Sequence, residues 1–181
     1  EESTKGTPQG GIISPLLSNI VLNELDWWVA SQWENIPTRY PYKCRTLRNG
    51  TPDKSNVYAE LRNTDLKECY IVRYADDFKI FCRNRKDAEN MFTATKSWLK
   101  ERLGLDISPD KSKIVNLKKH YSEFLGFKMK VVRKGKKANG QAKYAVQSHM
   151  SDKSKARIKK QAVEAVRDIK HLSSKENDSP L

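Results

Sequence analysis

The stretch Cys69-Tyr-Ile-Val-Arg-Tyr-Ala-Asp-Asp-Phe-Lys-Ile-Phe-Cys82 decides how the chain folds. Its two arms, Cys69 to Tyr74 and Phe78 to Cys82, are rich in β-branched and aromatic residues, and Ala75-Asp76-Asp77 separates them. Such side chains fit a pleated, half-buried surface, so the segment reads as strand, acidic turn, strand. Adjacent carboxylates at a tight turn are held close while the strands fix their direction, which suits an oxygen-binding divalent cation, Mg²⁺ or Mn²⁺. An exposed Asp-Asp turn with no ligand is the common alternative. Against it, the aromatic arms put this turn at the edge of a core. A two-metal phosphoryl-transfer site uses carboxylates to hold cations about 4 Å apart, and two aspartates rarely complete one unaided. A third ligand is expected from another strand, and no second acidic turn of this kind occurs in the chain.

Working outward, residues 1–13 pack three glycines and a proline into a conformationally demanding loop. A helix is expected next, capped by Ser14 with Pro15 at its first position, and with Leu17, Ile20 or Val21, Leu25, Trp28 and Val29 at helical spacing. Residues 35–65 hold Pro37, Pro41, Asn49-Gly50 and Pro52 and read as an irregular excursion with a short hairpin at Asn49-Gly50. After the acidic turn, Ala88, Met91 or Phe92, Thr95, Trp98 or Leu99, and Leu103 trace one face of a helix that Gly104 terminates. A strand is expected over 113–117 and a hairpin over 121–132 bending near Gly126. Residues 128–143 carry seven basic side chains and no acidic one, and read as a basic loop or hairpin tip. A short strand at 143–147 precedes a final helix capped by Ser151 or Asp152, with Ile158, Ala162, Val166 and Ile169 as its apolar stripe. The order of strands and helices gives an α+β fold.

Charge says where to look for a partner. The 181 residues carry a formal +13, with 15 basic and 13 acidic side chains in residues 1–100 against 20 and 9 in residues 101–181. Nearly all of the excess therefore follows residue 100, and a surface of that kind attracts polyanions, nucleic acid foremost. A merely soluble lysine-rich surface is the competing explanation. Cys44, Cys69 and Cys82 are too few and too far apart for a disulfide scaffold or a zinc ribbon, which favours a reducing compartment and packing roles. No run approaches the roughly 18 consecutive apolar residues of a membrane helix. The first two residues are glutamates where a signal peptide would be basic, so a cytoplasmic protein is expected.

Four ordered motifs make a more specific statement. Gly6-Thr-Pro-Gln-Gly-Gly-Ile-Ile-Ser-Pro-Leu-Leu-Ser-Asn-Ile-Val-Leu-Asn-Glu-Leu-Asp26, Tyr74-Ala-Asp-Asp77, Leu105-Asp-Ile-Ser-Pro-Asp-Lys-Ser-Lys-Ile114 and Glu123-Phe-Leu-Gly-Phe127 together resemble reverse transcriptases, especially those encoded by group II introns. The resemblance implies a palm-like antiparallel sheet backed by helices. It divides the chain into a partial fingers and palm subdomain at 1–132, a basic loop and short strand at 133–147, the start of a thumb or an appended basic helix at 148–172, and a disordered tail at 173–181. It implies Asp76 and Asp77 as metal-binding catalytic aspartates, and Lys111 as the lysine that meets the departing pyrophosphate. Pro8, Gln9, Gly10, Gly11, Tyr74 and Ala75 would then contact template and nucleotide, and Phe124, Leu125, Gly126 and Phe127 would position the primer. Arg133, Lys134, Lys136, Lys137, Lys153, Lys155, Lys159 and Lys160 would face the nucleic-acid backbone. Without the family pattern Lys111 is an ordinary surface lysine, and Phe124, Leu125 and Phe127 are core packing.

The resemblance also implies a gap, because the family carries its first catalytic aspartate upstream of the glycine-rich loop, and Asp65 lies outside the matching pattern. The expected reading is part of an RNA-directed DNA polymerase, inactive alone, whose parent uses Mg²⁺ or Mn²⁺, deoxynucleoside triphosphates, an RNA template and an RNA/DNA hybrid. Two others stand beside it. One is a catalytically idle, maturase-like module binding group II intron RNA. The other is a structural half that associates with a separate N-terminal half, or with itself, through exposed palm edges.

Overall fold

The computed structural model describes residues 13–177, with side chains through Lys170. In chain order the elements are α1 (Ser14–Ser31), α2 (Ser55–Leu61), β1 (Cys69–Tyr74), β2 (Asp77–Cys82), α3 (Arg85–Leu103), β3 (Ser122–Phe124), β4 (Phe127–Lys136), β5 (Ala142–Met150) and α4 (Asp152–Asn177). They form a mixed α+β fold in two compact units, Glu1–Ile114 and Val115–Leu181. Among the described residues no helix is long and apolar enough to cross a membrane.

In the first unit β1 and β2 pair antiparallel, with Cys69 opposite Cys82 at the open end and Tyr74 opposite Asp77 at the turn. Side chains alternate across a strand, so Cys69, Ile71 and Arg73 share one face with Phe78, Ile80 and Cys82. Cys69 is fully buried on that face, in a core with Leu22, Leu25, Val29 and Trp33 of α1 and its C-terminal extension, Leu61 of α2, and Met91 and Leu99 of α3. The other face leaves Val72 and Tyr74 exposed.

The helix expected after the glycine-rich loop forms, with two differences. Ile13 occupies the cap position and makes no side-chain bond there, while Ser14 is already the first helical residue. Pro15 still sits in the first turn, where its missing N–H has no intrahelical partner to lose. The buried stripe begins only at Leu22, and Leu17, Ile20 and Val21 are exposed, because the core reaches only the later turns of the helix. The second helix of the face-tracing pattern, α3, buries Met91, Thr95 and Leu99 as its spacing predicts. Asn84 caps it by accepting from the Asp87 N–H at 2.9 Å. Gly104 ends it at φ 65, in the left-handed region that glycine enters without steric cost. The excursion contains the expected small turn, with Leu47 N–H donating to Thr51 O at 2.8 Å, and also α2, which its proline content hid.

In the second unit β3, β4 and β5 form an antiparallel meander. Phe124 pairs with Phe127, leaving Leu125-Gly126 as a two-residue loop with φ 50 and 79. Positive φ at both loop positions matches the right-handed twist of the flanking strands. Residues 128–143 lie mostly in the arms of the β4–β5 hairpin, with Lys137 N–H donating to Gln141 O at 2.7 Å across its tip. The strand expected over 113–117 does not form, since the segment lacks a ladder partner; Leu117 O accepts one bond, from Val131 N–H at 2.8 Å. Ser151 caps α4 as expected, its hydroxyl accepting from Ser154 N–H at 3.2 Å. The apolar stripe of α4 is exposed, with Ile169 at 65%.

Candidate active site

Two strands and a two-residue loop present the acidic pair. Because Tyr74 and Asp77 are the closing pair, Ala75 and Asp76 make the loop itself. Asp76 and Asp77 are both exposed, and Asp77 lies on the open face with Val72, Tyr74 and Lys79. Ala75 holds φ 53, a conformation that costs a residue with a Cβ about 1–2 kcal/mol.

What holds this loop is a residue the sequence did not flag. The Arg73 guanidinium donates through Nη1 to Ala75 O at 2.8 Å and to Asn19 Oδ1 at 2.8 Å. Through Nε and Nη2 it grips the Asp26 carboxylate, with Nη2 to Oδ2 at 2.6 Å. Its side chain is only 10% exposed. A hydrogen bond from a charged donor contributes about 1.5–3 kcal/mol, enough to outweigh the strain at Ala75. The signal was present in α1: Leu22, Asp26, Val29 and Trp33 follow helical 3,4 spacing, so Asp26 is a polar residue among buried ones, and exposed Asn19 continues the same side of the helix one step earlier. A carboxylate there needs a cation facing it.

Lys79 is a second residue the sequence did not single out. Burial holds its amine below the ordinary lysine range; Asp77 opposes that effect and Lys113 adds to it. Asp77 and Lys113 thus each lie within electrostatic reach of Lys79. Lys111 precedes Lys113 in an exposed turn, where Ser112 N–H donates to Ser108 O at 3.0 Å.

Among the described residues no cluster of three or more His, Cys, Asp or Glu could hold a metal ion. Asp76 and Asp77 supply adjacent carboxylate oxygens, the donor type Mg²⁺ and Mn²⁺ prefer, and Mg²⁺ is often held by one or two carboxylates together with water and substrate phosphates. The pair fits that role as part of a ligand set. Pro8, Gln9, Gly10 and Gly11 lie outside the described residues.

In the second unit the Leu125-Gly126 loop exposes Leu125 and Phe127 and half-buries Phe124. Arg133, Lys134 and Lys136 project from the far arm of β4, and Lys137 opens the tip, all exposed. On α4, helical geometry puts Lys155 and Lys159 beside the apolar stripe and Lys153 and Lys160 on the opposite side. Lys155 and Lys160 make exposed ion pairs, at 3.7 Å to Asp152 and 3.8 Å to Glu164, too weak to withhold them from a polyanion.

Comparison with known proteins places the chain. The family model for reverse transcriptase (RNA-dependent DNA polymerase) matches residues 1–129. The COX1/OXI3 intron 2 protein of Saccharomyces cerevisiae is 33% identical over 71% of this chain and 18% of its own length. Protein YkfC of Escherichia coli is 33% identical over 70% of the chain and 33% of its own length. The group II intron-encoded protein LtrA of Lactococcus lactis is 29% identical over 72% of the chain and 26% of its own length. The chain therefore spans a third or less of these relatives. With a family model covering well over half of the chain, this polypeptide belongs to the reverse transcriptase (RNA-dependent DNA polymerase) family, and among the relatives it is similar to is a group II intron-encoded protein.

Proposed function

We propose that the chain forms part of an RNA-directed DNA polymerase that extends a primer on an RNA template by two-metal nucleotidyl transfer. The observation that supports this most is the exposed Asp76-Asp77 pair, on a loop held against α1 by Arg73, within a chain that matches the family. Bound Mg²⁺ or Mn²⁺ would supply charge stabilisation to the attacking 3′ hydroxyl and the leaving oxygens. Asp76 and Asp77 would hold those cations on the open face of the β1–β2 sheet. Tyr74 and Ala75, with Pro8, Gln9, Gly10 and Gly11, would meet template and deoxynucleoside triphosphate. Lys111, on an exposed turn, would meet charge developing on pyrophosphate, and Phe124 to Phe127 would position the primer. The aspartate expected upstream is needed to complete the ligand set, so the isolated chain is expected to be inactive.

A second reading draws on the basic side chains exposed in the second unit, from Arg133 through Lys160: binding of group II intron RNA by backbone charge and shape, without chemistry. Primer extension on an RNA template separates the two, with the chain alone and with an upstream half supplied. Extension by the combined halves that falls about a hundredfold or more in Asp76→Asn and Asp77→Asn supports the polymerase reading, since each 1.4 kcal/mol of lost stabilisation is tenfold. No extension by the combined halves, together with tight RNA binding whose slope against log salt drops by about 0.7–0.9 per phosphate contact removed with the lysines, favours the RNA-binding module.

A further inference from the structure

Resting on the reading of Asp76-Asp77 as a metal-binding pair, we infer that Arg73 is a positioning residue that sets the direction of that pair by tying the loop's backbone to α1, through Asp26 and Asn19. The three acceptors are of different kinds, two of them on α1 and the third in the loop itself. Asp26 and Asn19 are seven residues apart, two turns along the same side of α1, and the guanidinium spans them while a further N–H holds Ala75 O. That carbonyl belongs to the peptide joining Ala75 to Asp76. Fixing its plane fixes the backbone from which the Asp76 side chain departs, at a point where Ala75 at φ 53 would otherwise relax. The planar fork is what makes this possible: five N–H donors in fixed directions serve a carboxylate, an amide oxygen and a backbone carbonyl together, whereas a lysine ammonium is a point charge on a flexible stem. Arg73 touches neither nucleotide nor cation in this role. It acts as groups behind metal ligands do, by orienting them, and loss of such groups typically weakens metal binding about 10–100-fold.

The near burial of Arg73 gives it a structural role as well, so the test needs a readout that a structural role alone would not move. The chain is compared with Arg73→Lys by amide ¹⁵N relaxation and by a Mn²⁺ titration that follows paramagnetic broadening of the Ala75 to Phe78 amides. Expected in Arg73→Lys are order parameters at Ala75, Asp76 and Asp77 falling from about 0.85 to below about 0.6. The amides of Met91, Thr95 and Leu99 in α3 should keep their rigidity. The Mn²⁺ midpoint at the loop should rise about tenfold. Unchanged order at the loop, or loosening of the loop and α3 together, would overturn the inference. Should the starting chain show no Mn²⁺ broadening at the loop, the metal reading of Asp76-Asp77 fails by itself, and the order parameters still decide the role of Arg73. If Arg73→Lys does not fold, Asn19→Ala removes one exposed acceptor of the same fork and is read in the same way, with a smaller loss of order expected at Asp76 and none expected in α3.

Discussion

Each unit of the chain is built around a two-residue hairpin loop whose first residue carries a side chain at positive φ, Ala75 at 53 and Leu125 at 50. The two loops meet the same strain by different means. In the first, a buried side chain reaches over from the preceding strand and holds the loop carbonyl, so the anchor is the charged fork of Arg73. In the second, Gly126 follows at φ 79 and its carbonyl accepts from Ser151 N–H at 2.7 Å, so the anchor is backbone against backbone at the start of α4. A side-chain anchor can be altered without touching the loop it holds. A backbone anchor cannot, and there the glycine itself is the sensitive position.

The largest effect expected from this contrast is at Gly126. An added Cβ would stand 2.7 Å from Ser154 Oγ at a φ that side chains rarely adopt. Gly126→Ala should destabilise the second unit by about 2–3 kcal/mol, from the left-handed backbone and the overpacked contact together. Thermal unfolding followed by the Tyr121 and Tyr144 NMR signals measures it. Adding Ser154→Gly should recover the part due to contact and leave the backbone part, and full recovery would show that the conformation of Gly126 costs nothing. All four tryptophans, Trp27, Trp28, Trp33 and Trp98, belong to the first unit, so their fluorescence should not move.

A smaller effect separates the open ends of the hairpins. Cys69 and Cys82 pair across the base of β1–β2, and burial pushes the Cys69 thiol up to about 12 and the Cys82 thiol up to about 11. The unfolded chain loses these protons from about pH 9 upward while the folded unit keeps them. Stability of the first unit is therefore fully present below pH 9 and is lost as pH rises towards 12, by an amount on the order of 2 kcal/mol at pH 11 for Cys69. Denaturant titrations read by tryptophan fluorescence at pH 8 and pH 11 should show this drop. Cys69→Ala should flatten the dependence, and a dependence unchanged by that substitution would assign the alkaline loss elsewhere.

The hairpins were legible because their information is local. Alternation and β-branched content placed β1 and β2, and a glycine with a small loop length placed the turn at Gly126. Gly104 and the Met91, Thr95, Leu99 spacing did the same for α3. What escaped depends on partners distant in sequence. Arg73 looks like one more alternating strand residue until Asp26, 47 positions earlier, is seen against it. The segment 113–117 has strand-forming residues and no ladder to join, and α1 shows apolar spacing along its length although only its later turns meet a core. Among the residues of the candidate site, the acidic pair could be found from the strand-turn-strand pattern, whereas Lys111 and Phe124 to Phe127 stood out only through the family pattern.

The smallest expected effect tests most directly whether strain or anchoring directs the acidic pair. Ala75→Gly and Leu125→Gly each release about 1–2 kcal/mol of left-handed strain and each give back about 0.5–1 kcal/mol through the freer unfolded chain. Both should therefore stabilise their own unit by up to about 1.5 kcal/mol, seen as a rise of a few degrees in the tryptophan transition for the first and in the tyrosine signals for the second. The loops should differ in order. With Arg73 still on its carbonyl, the first loop should keep rigid amides at Asp76 and Asp77 after Ala75→Gly, and lose them only when Arg73→Lys is added. The second, a Gly-Gly loop after Leu125→Gly, has no side-chain anchor among the described residues and is held by Ser151 N–H, so its residue 125 amide should loosen in the single substitution. If Ala75→Gly by itself frees Asp76 as much as Arg73→Lys does, then the steric restriction at Ala75 fixes the direction of the pair, and the two hairpins are anchored alike.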